Sequence, residues 1–220
     1  MSRIYLFLLL LLSLLLTGCP AIKETATAEV APQQLYYTDY AYYNNIRTVQ
    51  LYREGLNESY PVLYLNRGQR LVLSFDELMP ESQAESDLFV DIISCDANWQ
   101  PSGIMPIEFY EGFLQQRISN FQRSAFTKVT YVHYEYSFPK ENEFFKMSGN
   151  YLLKVYKDAN QDQVVLTRRF VVAEQQIPIS LKFQIAERLI RQQMETFTFE
   201  AKTGNIPVFN ANNDLIVKVL

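Results

Sequence analysis

Cys95 and His133 are the two residues of this sequence whose types could together support nucleophilic catalysis. A thiol activated by a neighbouring imidazole is the arrangement that cysteine hydrolases use. The signal is weak, because the chain of 220 residues contains one histidine, and Cys95 is the only cysteine apart from Cys19 at the end of the N-terminal signal. Cys95 also ends the apolar run IISC, where a cysteine is typical of a small buried hydrophobe. We therefore predict a sealed, unreactive thiol rather than a nucleophile.

The residues around Cys95 do not form the pattern of a metal site either. Zinc requires three or four ligands, and Cys95, Asp96 and His133 are joined by no further cysteine or histidine. Candidate carboxylates for glycoside hydrolysis are Asp76, Glu77, Asp91 and Asp96. The chain has 24 acidic residues, so some fall close together by chance. With no glycine-rich phosphate loop and no GxSxG motif, the sequence predicts no catalytic residue, no metal and no cofactor; the protein is not expected to be an enzyme.

Trp99, the only tryptophan, follows Cys95 closely in IISCDANWQPSG. Asp96 and Asn98 are expected to satisfy the backbone donors of a turn through Asx-type hydrogen bonds. The indole would then fold back over the end of the domain and cover the thiol. The predicted structural core includes Cys95, Trp99, Tyr151, Leu153 and Val155.

Alternating apolar residues predict the strands that position these side chains. The clearest stretch is KVTYVHYEYSFP, which places Thr130, Val132, Tyr134, Tyr136 and Phe138 on one face. Other strands are predicted near 46–51, 62–65, 71–75 and 89–93, with a hairpin at 151–155 and 164–172 and a short helix at 107–117. Short strands at this spacing predict an all-β fold, an Ig- or fibronectin-like antiparallel β-sandwich over residues 35–175.

A new apolar run begins after EQQIPIS at 174–180. Its members occupy odd positions, namely Ile177, Ile179, Leu181, Phe183 and Ile185, as expected of a strand. Residues 176–220 are therefore predicted to be a linker and the truncated start of a second β domain.

The first residues have the pattern of a lipoprotein signal peptide. Arg3 precedes an apolar run at 4–16 that is too short to span a bilayer comfortably. The letters LTGC at 16–19 resemble the bacterial lipobox, in which the cysteine after the cleavage site is acylated; an ordinary secretory signal is the alternative. We predict a signal peptide over 1–18, lipid on Cys19 that anchors the protein to membrane, and a flexible tether over 19–34.

Tyrosines are concentrated in YYTDYAYYNN at 36–45. These are Tyr36, Tyr37, Tyr40, Tyr42 and Tyr43. Tyrosine combines a large contact area with a polar hydroxyl and is enriched at protein interfaces. Two interpretations remain open: the segment is a binding interface, or it is an edge strand that wraps over the sandwich.

The overall charge excludes one class of partner. The formal net charge is −4, and no stretch forms a basic stripe. Binding to nucleic acid depends on cationic contacts with phosphates, so we predict no nucleic-acid partner.

Six stretches occur in an order that resembles a known family. They are IRTVQLY, LNRGQRLVLSFDEL, IISCDANWQPS, SAFTKVTYVHYEYSFP, SGNYLLKVY and VVLTRRFVV. Together they resemble the N-terminal domain of the type IX secretion system plug protein family of Bacteroidota, over roughly residues 36–175. The tail NANNDLIVKVL resembles the start of that family's second β domain, which suggests a truncated chain.

The resemblance implies a periplasm-facing β-sandwich without catalytic residues. It implies binding to the outer-membrane translocon, a very large β-barrel, whose periplasmic mouth the plug seals. With the lipobox, it implies an outer-membrane-anchored lipoprotein of the cell envelope. The alternative is a periplasmic or surface lipoprotein that binds carbohydrate or peptide, since a sandwich fold alone does not define function.

Overall fold

The structure is a computed structural model that describes residues 33–80, 82–185, 195–204 and 206–215. The predicted signal peptide, Cys19 and the predicted tether as far as residue 32 lie outside these ranges. No helix within the described ranges is long and apolar enough to cross a membrane. The strands are β1 (Tyr40–Ala41), β2 (Ile46–Arg53), β3 (Val62–Tyr64), β4 (Leu71–Leu78), β5 (Leu88–Cys95), β6 (Tyr110–Glu111), β7 (Gln116–Arg117), β8 (Asn120–Arg123), β9 (Tyr131–Phe138), β10 (Phe144–Phe145), β11 (Gly149–Lys157), β12 (Val164–Ala173), β13 (Ile179–Ile185) and β14 (Glu195–Ala201). The helices are α1 (Pro106–Phe109) and α2 (Ala211–Asp214).

Two sheets form the sandwich. The first has the strand order β2-β4-β9-β8. The second has the order β1-β12-β11-β5-β7, and β3 joins it by parallel pairing with β12. Every other strand pair in the described ranges is antiparallel. The predicted all-β sandwich is confirmed.

The core lies between the sheets and follows the period-two alternation of the strands. In β9 the buried residues are Val132, Tyr134, Tyr136 and Phe138, as the sequence predicts. In β11 the residues facing this core are Tyr151, Leu153 and Val155, which are 0–1% exposed. Neighbouring strands add their own alternate residues, so both sheets bury one continuous apolar face.

Five aromatic rings, which we call the aromatic cluster, join the two sheets. Phe138 comes from the first sheet, and Tyr151 and Phe170 come from the second. The ring centroids of Phe138 and Phe170 are 5.3 Å apart, and those of Tyr151 and Phe170 are 5.4 Å apart. Phe145 of β10 and Phe109 of α1 complete the cluster, with centroids 5.0 and 5.2 Å from that of Tyr151. The cluster therefore fixes the connecting segments as well as the sheets.

One buried charge is fully paired. Glu77 of β4 is 1% exposed, and its carboxylate lies 3.1 Å from the Lys157 ammonium. The carboxylate also accepts hydrogen bonds from the Ser86 hydroxyl at 3.0 Å and the Tyr134 hydroxyl at 3.3 Å. A buried carboxylate needs such partners, because desolvation would otherwise make its charge costly.

The predicted helix at 107–117 is wrong beyond its first residues. Helix α1 ends at Phe109, and the chain continues through the short strands β6, β7 and β8. Gly112, at φ +147°, cannot continue a helix. Further along, β13 and β14 pair in register as a hairpin within the predicted second-domain segment. Ile179 and Leu181 are exposed on it.

Candidate functional site

Cys95 and His133 lie on opposite sides of the sandwich. Cys95 ends β5, and the inward residues of that strand are Leu88, Val90 and Ile92, so the thiol belongs to the outer face of the second sheet. His133 alternates with the inward residues of β9 and belongs to the outer face of the first sheet. The two sheets stand between them. The thiol–imidazole pair that the sequence raised does not form.

The Cys95 thiol is buried, with 6% of the residue exposed. Burial raises its pKa to about 11, and the nearby Asp96 carboxylate adds to the rise while the Arg169 guanidinium opposes it. Nucleophilic cysteines need the opposite environment, one that favours the thiolate. Within the described residues, no group of three or more His, Cys, Asp or Glu side chains could hold a metal ion.

Trp99 is not a core residue, and this part of the predicted core is corrected. The residue is only partly buried and has a left-handed φ of 62°. The turn is set by Asp96, whose Oδ1 accepts from the backbone N–H groups of Asn98 at 2.8 Å and Gln100 at 2.9 Å. This turn directs the indole across the sheet to Arg169, whose Cζ lies 4.5 Å from the ring centroid. A cation–π contact replaces the expected burial.

His133 forms a surface pair rather than a reactive centre. Its Nδ1 is 2.6 Å from Oδ1 of Asp76, the residue opposite it on β4. The Thr48 hydroxyl donates to the other oxygen of the same carboxylate. Asp91, another carboxylate considered from the sequence, has its pKa raised by burial and accepts from the Ile92 N–H at 2.9 Å. These carboxylates each serve local structure.

The tyrosine-rich segment is an edge strand that leaves rings exposed. Tyr40 pairs with Thr167 of β12. The backbone carbonyl of Tyr37 accepts a hydrogen bond from Arg169 Nε at 2.8 Å. The rings of Tyr36, Tyr40 and Tyr42 contact one another, with centroids 4.9–5.7 Å apart. Tyr36 and Tyr40 are exposed, as is Tyr43, whose ring faces Lys157 Nζ at 5.3 Å. The segment therefore wraps the sandwich, and its role as an interface stays a prediction.

A second surface was missed by sequence reasoning. Met105, Ile107 and Phe113 are 61%, 73% and 83% exposed, far more than large apolar side chains usually are on a folded domain. We call these three residues the apolar ridge. They border a groove of about 800 Å³, whose lining includes residues 91–94 of β5. Exposed apolar side chains grouped around one groove are typical of interaction sites.

Glu143 holds the ridge segment in place. Its carboxylate accepts from the Tyr110 hydroxyl at 2.8 Å, the Gln116 side-chain amide at 2.7 Å and the backbone N–H of Phe113 at 3.3 Å. Burial works to raise the pKa of Glu143, but these bonds and one from the Lys140 N–H outweigh it, and the pKa is lowered. The ridge is thus presented by a fixed loop rather than by a free one.

The comparisons with known proteins fit this architecture. The family described as type 9 secretion system plug protein 1st domain matches residues 46–174. The chain belongs to this family. Membership links the plug-family chain to type IX secretion at the cell envelope. No curated protein matches it.

A solved structure extends the comparison. It is the crystal structure of a hypothetical protein from Parabacteroides merdae, 26% identical, with a TM-score of 0.70. The match covers 82% of the plug-family chain and 45% of the Parabacteroides chain, so the present sequence spans less than half of that relative's length.

Alkylation should confirm the burial of Cys95 in the plug-family chain. At pH 8 the thiolate fraction should be about 100-fold lower in the native protein than in the unfolded chain, whose thiol keeps the ordinary pKa of 9.0. Iodoacetamide should therefore modify the Cys95 peptide slowly, with a rate that rises as the pH approaches 11. Mass spectrometry with and without urea measures both rates; equal rates would contradict the buried thiol.

Gly112→Ala should disrupt the loop that Glu143 holds. An added Cβ would stand 2.8 Å from both Glu143 Cγ and Tyr110 Cε1. We expect a loss of about 2–3 kcal/mol in the free energy of unfolding, measured with urea. Gly103→Ala is the matched control, because Gly103 also has a positive φ, +74°, but open space around it. The control should lose about 1 kcal/mol from backbone strain alone. Equal losses would show that close approach to Glu143 is unimportant.

Proposed function

We propose that this chain is a non-catalytic plug that binds the outer-membrane translocon of type IX secretion and seals its periplasmic mouth. The observation that carries the proposal is the family match over residues 46–174. The related crystal structure is of a longer protein, so sealing by the whole protein is part of the proposal. A pore that admits folded cargo leaks when open, and a seal must present a rigid body with broad contact area.

The physical character of the domain supports this role. The aromatic cluster and the continuous core make the sandwich rigid, since protein interiors are packed as densely as organic crystals. The apolar ridge supplies exposed apolar surface that a partner could cover. In the described residues, Cys95 and His133 are separated by both sheets, which favours a binding role over catalysis.

Envelope pull-down tests the proposal through the ridge. The tagged protein should recover the translocon β-barrel from detergent-solubilised envelopes of a bacterium with type IX secretion. Ile107→Ser and Phe113→Ser should each reduce recovery about 10- to 100-fold, because burying one such apolar side chain contributes roughly 1.5–3 kcal/mol. Quantitative blotting of the barrel against the tagged protein gives the readout.

Phe126→Ser is the matched control for these ridge variants. Phe126 is a fully exposed phenylalanine outside the groove lining, so its loss should leave recovery unchanged. Substituting Tyr36 and Tyr40 by serine tests the tyrosine segment as the alternative contact. Recovery of soluble partners alone by the unaltered protein would overturn the proposal.

We also propose that Cys19 carries lipid and holds the protein at the outer membrane, facing the periplasm. The LTGC sequence at 16–19 supports this, together with the envelope setting of the family. Cys19→Ala should abolish incorporation of a clickable fatty acid, because the acylated thiol is removed. Cys95→Ala is the control and should leave incorporation unchanged. Equal labelling of the Cys19 variant and the unaltered protein would contradict acylation at this position.

A further inference from the structure

A cleft lies along the edge of β12, where two short strands leave a gap. Strand β1 pairs with residues 166–167 of β12, and β3 pairs with residues 171–173. Between them, a cavity of about 430 Å³ opens toward β2. Its lining includes Arg168 and Arg169 together with Tyr40, Leu51 and Pro61. We call it the arginine cleft.

Arg168 points between the sheets, which is unusual for a charged residue. It is opposite Leu153, whose side chain faces the core. Its guanidinium donates to two backbone carbonyls, those of Thr167 at 3.0 Å and Val49 at 3.3 Å. A guanidinium has five N–H groups, so these two bonds leave further donors without an acceptor among the described residues.

The charge of Arg168 is poorly compensated. No carboxylate of a described residue lies within 4.0 Å of the guanidinium of Arg168 or of Arg169. Burial lowers the pKa of Arg168, and the Asp39 carboxylate, which also lines the cleft, opposes that fall. Two guanidinium groups against one carboxylate leave the cleft locally cationic in a chain whose net charge is −4.

The surrounding groups are held in position. Arg169 donates through Nε to the Tyr37 carbonyl at 2.8 Å and stacks on Trp99. Its backbone N–H donates to Oδ1 of Asp39 at 2.7 Å, which orients that carboxylate. The under-coordinated guanidinium of Arg168 therefore lies among fixed groups.

We propose that the arginine cleft is a binding site for a carboxylate group. The two carbonyls leave N–H groups on Nε, Nη1 and Nη2 of Arg168 available, and a guanidinium is the group that pairs with a carboxylate in bidentate fashion. Tyr40, Leu51 and Pro61 offer apolar contact to the carbon skeleton that carries the carboxylate. A carboxylate would supply the counter-charge that the described residues do not provide. The proposal is independent of translocon binding.

Titration of the purified protein with glutarate tests the site. Glutarate should raise Tm saturably by a few degrees, with a Kd on the order of millimolar, and glutaramide, its uncharged isostere, should not. Arg168→Met should abolish the effect, and Arg168→Lys should weaken binding about tenfold, because an ammonium lacks the planar fork. Arg117→Met is the matched control, since Arg117 is exposed and already paired with Asp87.

Asp39→Asn provides a readout that does not depend on loss of structure. Its amide oxygen can still accept from the Arg169 N–H, while the competing negative charge is removed. Glutarate should bind this variant several-fold more tightly than the unaltered protein. Two heptapeptides distinguish the source of the carboxylate: one with a free C-terminus and no acidic residue, one amidated with a central glutamate. The peptide that displaces glutarate identifies the source, and displacement by neither assigns the site to small free carboxylates.

Several outcomes would overturn the proposal. One is a rise in Tm with glutaramide, or with sulfate at matched ionic strength, as large as the rise with glutarate. Another is a loss of the glutarate effect in Arg117→Met as large as in Arg168→Met. The last is an affinity of Asp39→Asn for glutarate equal to that of the unaltered protein. An equal effect of glutaramide would show that the charge of the ligand is irrelevant, and an equal effect of sulfate would show a general cationic surface.

Discussion

The aromatic cluster is the interaction on which the rest of the structure depends. Phe138 of the first sheet meets Tyr151 and Phe170 of the second within ordinary ring-contact distances. Aromatic side chains bury more area than any others, so a few of them dominate the cohesion between two layers. Phe109 and Phe145 extend the cluster into α1 and β10. The segment that carries the apolar ridge therefore takes its position from the same rings that close the sandwich.

The sequence was sufficient to predict the strands in which alternate residues are buried on one face. The alternation in β9 is regular because each inward residue meets the opposing sheet, and local periodicity reports that directly. The ridge segment was not predictable, because its path is set by Glu143, thirty residues from Phe113 along the chain. The prediction that Trp99 is buried in the core was wrong for a related reason. A left-handed turn and an arginine far along the chain decide where the indole lies. The inward orientation of Arg168 was not predicted, because a charged residue in a strand normally faces solvent.

Two surfaces of different character stand at opposite ends of one sheet. The strand order β1-β12-β11-β5-β7 places the arginine cleft at the β12 side and the groove beneath the apolar ridge at the β5 side. The apolar ridge would gain from the exclusion of water by a partner, and the arginine cleft would gain from a counter-charge that a ligand brings. A rigid sandwich that separates them can contact two partners without the contacts interfering, which suits a component of a larger assembly.

The pairing of β1 with β12 has a consequence for how the domain matures. The Thr167 hydroxyl bonds to the carbonyl of Thr38, 129 residues earlier in the chain. Contacts of such long sequence separation form slowly, since loop-closure entropy must be overcome before they contribute. The tyrosine segment, which lies early in the chain, therefore pairs with β12 nearly last. During that interval the unfinished edge of the sheet is open to pairing with other strands.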